Sequence, residues 1–201
     1  MQESTKKLLT TRNIAKIAIL AAIAFILMLI EFPVPFAPSF YKLDFSEVAV
    51  LMGGFARGPL AAVALEGLKI VLELLFRGTV TMGVGELANF LVGCALCVPA
   101  AVIYKKNKTR ESALKGMLAG TICMVVVGMI LNIYLLIPAY VAIANFPLSA
   151  IIEAGTKIFP AIHDVVSLAL ICVVPFNLVK GIAVALITTV LYKHVSPLLH
   201  R

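Results

Sequence analysis

The chain has 201 residues, 62% of them hydrophobic and only 13% charged, with a formal net charge of +7. Water-soluble domains are about half apolar and about a quarter charged, so this composition, with a mean hydropathy of +1.07, excludes a soluble enzyme. It indicates one helical domain over 1–201 embedded in a lipid bilayer. In such a protein the basic excess reports topology first and implies no nucleic-acid partner.

Residues 1–12 form a basic lead with Lys6, Lys7 and Arg12. A first helix is predicted over about 13–32. It is too long for the apolar core of a signal peptide and further apolar runs follow it, so it reads as a retained helix. Ala15, Ala18, Ala21, Ala22 and Ala24 leave one side nearly smooth. Ala18 and Ala22 are a small-xxx-small pair that lets another helix approach closely, either from this chain or from a partner subunit.

Pro33, Pro35 and Pro38 give the next stretch a fixed, non-helical shape up to Asp44. Its end, Phe40-Tyr41-Lys42 with Asp44, suits a partly apolar ligand with polar edges, or an aromatic belt at the membrane interface. A helix over 45–56 is too short to span unaided and is expected to end at Gly53-Gly54. A turn at Arg57-Gly58-Pro59 leads into a third helix over 59–76. There Glu66, Lys69 and Glu73 share one face, so Lys69 is expected to be neutralised from either side. This strip is either an internal ion-pair ladder or a ligand contact.

A break over 78–85 precedes a fourth helix over 84–104, with Glu86 and Asn89 one turn apart near its start. Helix capping and ligand binding account for that pair equally well. Cys94 and Cys97 match C-x-x-C without a thioredoxin-like context, and with Cys123 and Cys172 they read as small packing residues. The basic loop 105–110 leads to a fifth helix over 113–137, which contains a lone Asn132 and is expected to end at Pro138. A long connection, with a short interfacial helix predicted over 148–158, reaches a sixth helix over 165–191.

That last helix contains Pro175-Phe-Asn-Leu-Val-Lys180. A lysine near mid-membrane costs about 2.5–3.5 kcal/mol on insertion scales. Asn177 lies one turn earlier on the same face. Two polar side chains at that depth need partners, from other helices or from a ligand. His163, His194 and His200 lack metal-ligand spacing, and neither a phosphate loop nor a nucleophile motif is present, so no metal and no catalytic residue is assigned.

Six membrane segments place both termini on one side. That side holds Lys6, Lys7, Arg12, Lys16, Arg57, Lys105, Lys106, Lys108, Arg110, Lys115, Lys193 and Arg201, against Lys42, Arg77 and Lys157 opposite. The basic side is therefore cytoplasmic. The proline-aromatic loop, the start of helix four and the fifth connection then share the outer face, above Asn132 and Asn177.

These residues carry a family resemblance along nearly the whole chain. It rests on Leu43-Asp-Phe-Ser-Glu47 after a proline-rich loop, Gly53 to Pro59, Thr81-Met-Gly-Val-Gly-Glu-Leu-Ala-Asn-Phe90, Asn132 with Ile137-Pro-Ala-Tyr140, and Pro175 to Lys180. The chain resembles the riboflavin-specific substrate-binding (S) component of energy-coupling factor (ECF) vitamin transporters. The resemblance implies an all-α integral membrane bundle of six helices in a bacterial plasma membrane. It implies capture of riboflavin from outside, as substrate and not cofactor, and partnership with a coupling transmembrane subunit and two cytoplasmic ATPase subunits. It places Asn132, Asn177 and Lys180 on the polar edge of the flavin ring, and Lys42, Asp44, Glu86 and Asn89 as further contacts. It also makes the alanine-rich first helix, with Ala18 and Ala22, the surface for the coupling subunit.

A flavin fits this chemistry. Its ring is flat and apolar on both faces, with an imide along one edge. Asparagine donates and accepts while lysine donates, and Phe40, Tyr41 or Phe176 can pack on the ring. The outer side lacks a dense cationic cluster, which suits an unphosphorylated vitamin. The alternatives are an S component for another vitamin or flavin, an autonomous proton-coupled carrier using Lys180 or Glu66 and Glu73, and an intramembrane enzyme. The carrier lacks an inverted repeat, and the enzyme lacks a nucleophile–base constellation.

Overall fold

The computed structural model describes residues 10–79, 81–143 and 145–199, with side chains up to Tyr192; Lys6, Lys7, Val80, Arg201 and the Lys193 side chain lie outside the described residues. Helix α1 is Thr11–Leu29. Its buried positions, Ile17, Ala21, Ala24 and Met28, recur every three or four residues and make one inward stripe. Ala18 and Ala22 fall outside that stripe and are exposed, so packing among the described residues does not use them.

After α1 the proline-rich loop closes into a two-rung antiparallel hairpin, β1 (Phe32–Pro33) with β2 (Lys42–Leu43), which the all-helical expectation did not include. Helix α2, Ser46–Arg57, has 12 residues and reaches about 18 Å, well short of the hydrocarbon core. Every residue from Ser46 to Phe55 is buried. Around it pack α1, α3 (Pro59–Phe76), α4 (Val84–Lys106) and the last helix. Gly53 and Gly54 do not end α2, contrary to expectation; they lie inside it. A Cβ on Gly54 would stand 3.1 Å from Ala62 and 3.2 Å from Ala101, so these glycines let α3 and α4 close on α2. The turn comes at Gly58, whose φ of 93° is a left-handed conformation, with Pro59 opening α3.

Helix α5 is Arg110–Ala142 and lies along α4 almost backbone to backbone. A Cβ on Gly116 would stand 2.7 Å from the Ala100 carbonyl oxygen, and one on Gly120 would run into that of Leu96. Pro138 does not end this helix as expected. A π-helical turn over Asn132–Leu136 widens the chain just before it, and helix resumes over Ile137–Ala142. Proline offers no N–H and its ring crowds the carbonyl four residues back, and the wider turn absorbs both defects.

Short α6, Leu148–Thr156, leads to α7, built from Val165–Leu168, a second π turn over Ala169–Val173, and Val174–Leu199. Pro175 follows that π turn as Pro138 follows the first. Asp164 caps the start of α7: it accepts from the Ser167 amide at 2.7 Å, and these bonds hold its carboxyl below the ordinary value. Among the described residues, four helices are long and apolar enough to cross a membrane: α1, α4, α5 and the 28-residue Val165–Tyr192 stretch of α7. Their outward faces carry exposed apolar side chains, such as Leu118, Ile122, Val126 and Ile130 along α5. In water such a surface would be a liability, whereas in lipid it is the expected solvent-facing side.

The backbone contact at Gly120 gives a direct test. Gly120→Val is expected to cost about 1–3 kcal/mol through overpacking and to lower the thermal midpoint in detergent by several degrees. Leu118→Ala on the lipid side should leave the midpoint unchanged.

Candidate ligand cavity

Between the hairpin and the facing parts of α2, α3, α4, α5 and α7 lies a cavity of about 550 Å³. All seven residues assigned to the substrate from sequence line it: Lys42, Asp44, Glu86, Asn89, Asn132, Asn177 and Lys180. Phe40, Tyr41 and Phe176 line it as well, with the Tyr41 and Phe176 ring centroids 5.6 Å apart. Apolar groups from Met28, Val92, Leu136 and Ile137 complete the wall. Ala18 and Ala22 are elsewhere, on the outer side of α1.

Beneath the cavity sits a buried ionic network. Lys180 Nζ lies 2.9 Å from Asp44 Oδ2 and 3.1 Å from Glu47 Oε1. Lys69, fully buried, lies 2.7 Å from Glu66 Oε2 and 3.3 Å from the same Glu47 oxygen. It also donates to Ser46 Oγ at 3.1 Å and to Asn89 Oδ1 at 3.3 Å. Of the two carboxylates that helical spacing offers Lys69, Glu66 is the one it pairs with, and its second carboxylate is Glu47 and not Glu73. Glu73 instead lies 4.0 Å from Arg77, and its Oε2 is buried without a hydrogen-bond partner at the cavity wall.

Asp44 joins the network from the loop before α2. It accepts from the Ser46 backbone and hydroxyl as well as from Lys180. Burial alone would raise its carboxyl; the Lys180 and Lys69 ammonium groups and the Ser46 hydroxyl outweigh that and hold it well below the usual range.

Two further contacts pin the hairpin over the cavity. At the mouth, Glu31 accepts from Lys42 and, at 3.0 Å, from Arg77. Partial burial pushes Glu31 upward, and those two cations reverse the effect and leave its carboxyl below the ordinary value. Deeper, the Tyr41 hydroxyl donates to Asn132 Oδ1 at 2.6 Å. Burial pushes the Tyr41 phenol far above its ordinary value, so it remains a donor. Across the cavity, Thr81 donates to Glu86 Oε2 at 2.8 Å.

Sequence reasoning gave no role to Glu31, Glu47 or the Tyr41 hydroxyl. Glu47 had a usable signal, since it stands three residues after Asp44 at the start of a helix. Glu31 and Tyr41 had none, because their partners lie in other elements.

Comparison with known proteins places this architecture. Residues 12–192 match the family described as ECF transporter, substrate-specific component. Riboflavin transporter RibU of Staphylococcus aureus (strain TCH60) is 34% identical over 197 residues, covering 94% of this chain and 93% of the relative. Riboflavin transporter FmnP of Bacillus subtilis (strain 168) is 30% identical over 187 residues, covering 92% and 93%. A solved structure described as "Structure and mechanism of the S component of a bacterial ECF transporter" superposes with a TM-score of 0.72 at 33% identity, covering 94% of this chain and 97% of that one. A cavity set over a buried ionic network, on a scaffold shared along almost the full length with these proteins, makes this chain a member of the ECF transporter substrate-specific component family.

Proposed function

We propose that this chain binds riboflavin from outside the cell and carries it into uptake as the S component of an ATP-driven ECF transporter. The observation that carries the reading is the polar edge of the cavity, where Asn132 on α5 meets Asn177 and Lys180 on α7 beside the Tyr41 and Phe176 rings. Amides that donate and accept, with an ammonium donor, complement an imide edge, and the aromatic and aliphatic wall complements the ring faces. Full-length similarity to riboflavin transporters supports the same substrate. Lys42, Asp44, Glu86 and Asn89 complete the contacts, with the polyol chain facing the hairpin and the start of α4.

In this reading the chain is a transport component and not an enzyme, and riboflavin is cargo. ATP is hydrolysed by two cytoplasmic ATPase subunits joined through a coupling membrane subunit. That subunit docks on the exposed Ala18–Ala22 face of α1, whose small residues allow close helix approach. The six membrane segments are α1 to α5 and α7, with α2 sheltered among the others and both termini in the cytoplasm of a plasma membrane. The basic residues Arg12, Lys16, Arg57, Lys105, Lys106, Lys108 and Arg110 at one end support that orientation.

Titration of the purified chain with riboflavin should show saturable, submicromolar binding with quenched flavin fluorescence; a folded protein without saturable binding would remove the reading. Lys180→Ala should weaken binding by about tenfold or more, the loss of a charged hydrogen bond, while the protein remains folded. Unchanged affinity with a lowered thermal midpoint would make Lys180 a purely structural ion-pair member. Ala18→Trp should leave riboflavin binding unchanged and abolish uptake by the assembled transporter, whereas retained uptake would move the docking face elsewhere.

A further inference from the structure

We infer that Gly128 on α5 is a positioning residue for the polar edge of the cavity: its carbonyl orients the Asn132 amide, and its missing side chain admits the Asn177 amide from α7. A Cβ on Gly128 would stand 2.5 Å from Asn177 Nδ2 and 3.2 Å from its Cγ, so any other residue collides with that amide. The amide is not free to retreat, because Asn177 Nδ2 donates to the Val173 carbonyl at 3.1 Å. On the other helix, Asn132 Nδ2 donates to the Gly128 carbonyl at 2.8 Å. One glycine therefore serves both asparagines.

The partners also settle which way each amide faces. A carbonyl oxygen only accepts, so the atom turned to it must be the amide nitrogen in both residues. Asn132 Oδ1 is taken by the Tyr41 hydroxyl at 2.6 Å. Among the described residues no donor reaches Asn177 Oδ1, and Asn177 lines the cavity. Three residues on, Lys180 lines it too, held by Asp44 and Glu47. The cavity thus presents an amide acceptor and an ammonium donor one helical turn apart. That pair complements an N–H beside a C=O, and it makes the ligand's N–H a recognised feature in its own right. The inference rests on the riboflavin reading, in which that group is the imide.

The test compares the wild type, Gly128→Ala, Asn177→Ala and the double variant in titrations with riboflavin and N3-methylriboflavin, which lacks the imide N–H. The wild type is expected to prefer riboflavin by about tenfold, the worth of one buried hydrogen bond. Gly128→Ala should bind riboflavin about tenfold more weakly and lose most of that preference. With alanine already at 177, adding Gly128→Ala should change affinity and preference by no more than about twofold, because the collision is gone. Full preference in Gly128→Ala, or penalties that multiply in the double variant, overturns the inference. If Gly128→Ala alone fails to fold, recovery of a folded, flavin-binding double variant supports the inference, and failure of the double variant alongside a folded Asn177→Ala overturns it. A wild type that binds no riboflavin overturns the reading of the cavity and this inference with it, whereas wild-type binding with an additive cycle overturns only the role of Gly128.

Discussion

The structure depends on one buried ionic network, in which Lys69 and Lys180 share the Glu47 carboxylate. Neither lysine tolerates this depth alone, and removing one member of such a pair typically costs about 3–5 kcal/mol because the other charge is stranded. The pairing joins elements distant in sequence: Asp44 from the loop between the hairpin and α2, Glu47 from α2, Glu66 and Lys69 from α3, Asn89 from α4 and Lys180 from α7. It gives the short, fully buried α2 a reason to sit at the centre of the bundle. It also ties the hairpin above the cavity to the helix below it.

The cavity exists because the surrounding helices are irregular at chosen places. Two π turns, each just ahead of a proline, carry or closely precede the two asparagines of the polar edge. Glycines at 116 and 120 bring α4 and α5 into backbone contact, so the bundle is tight away from the hairpin and open beneath it. The hairpin covers the open half through Tyr41 to Asn132 and through Lys42 and Arg77 to Glu31. Close packing, a polar edge and a pinned cover together describe a preformed cavity, which in the proposed reading lowers the ordering cost of binding.

Much of this was legible in the sequence, and the failures share a cause. Helices α1, α4, α5 and α7 announce themselves by apolar length, and the family resemblance picked out side chains that line one cavity. Proline rules describe a regular α-helix and so end the helix at Pro138, whereas the chain widens to a π turn and continues. Gly53 and Gly54 suggest a stop because glycine is a weak helix former, whereas interhelical contact uses them inside α2. Spacing rules found Glu66 for Lys69 and proposed Glu73, but they see only along one helix. Glu47, 22 residues away, lay beyond them, as did Tyr41 for Asn132, 91 residues away. Ala18 and Ala22 show the reverse case: their small-residue pattern is visible in the sequence, and their exposure among the described residues is visible only in the structure.

A structure of the chain with riboflavin bound measures the central claim most directly. The account predicts the imide edge of the ring within hydrogen-bond distance of Asn177 Oδ1 and Lys180 Nζ, with Lys180 still held by Glu47. A ring whose imide edge faces the hairpin or the start of α4, leaving Asn177 and Lys180 bonded only to protein, would contradict it.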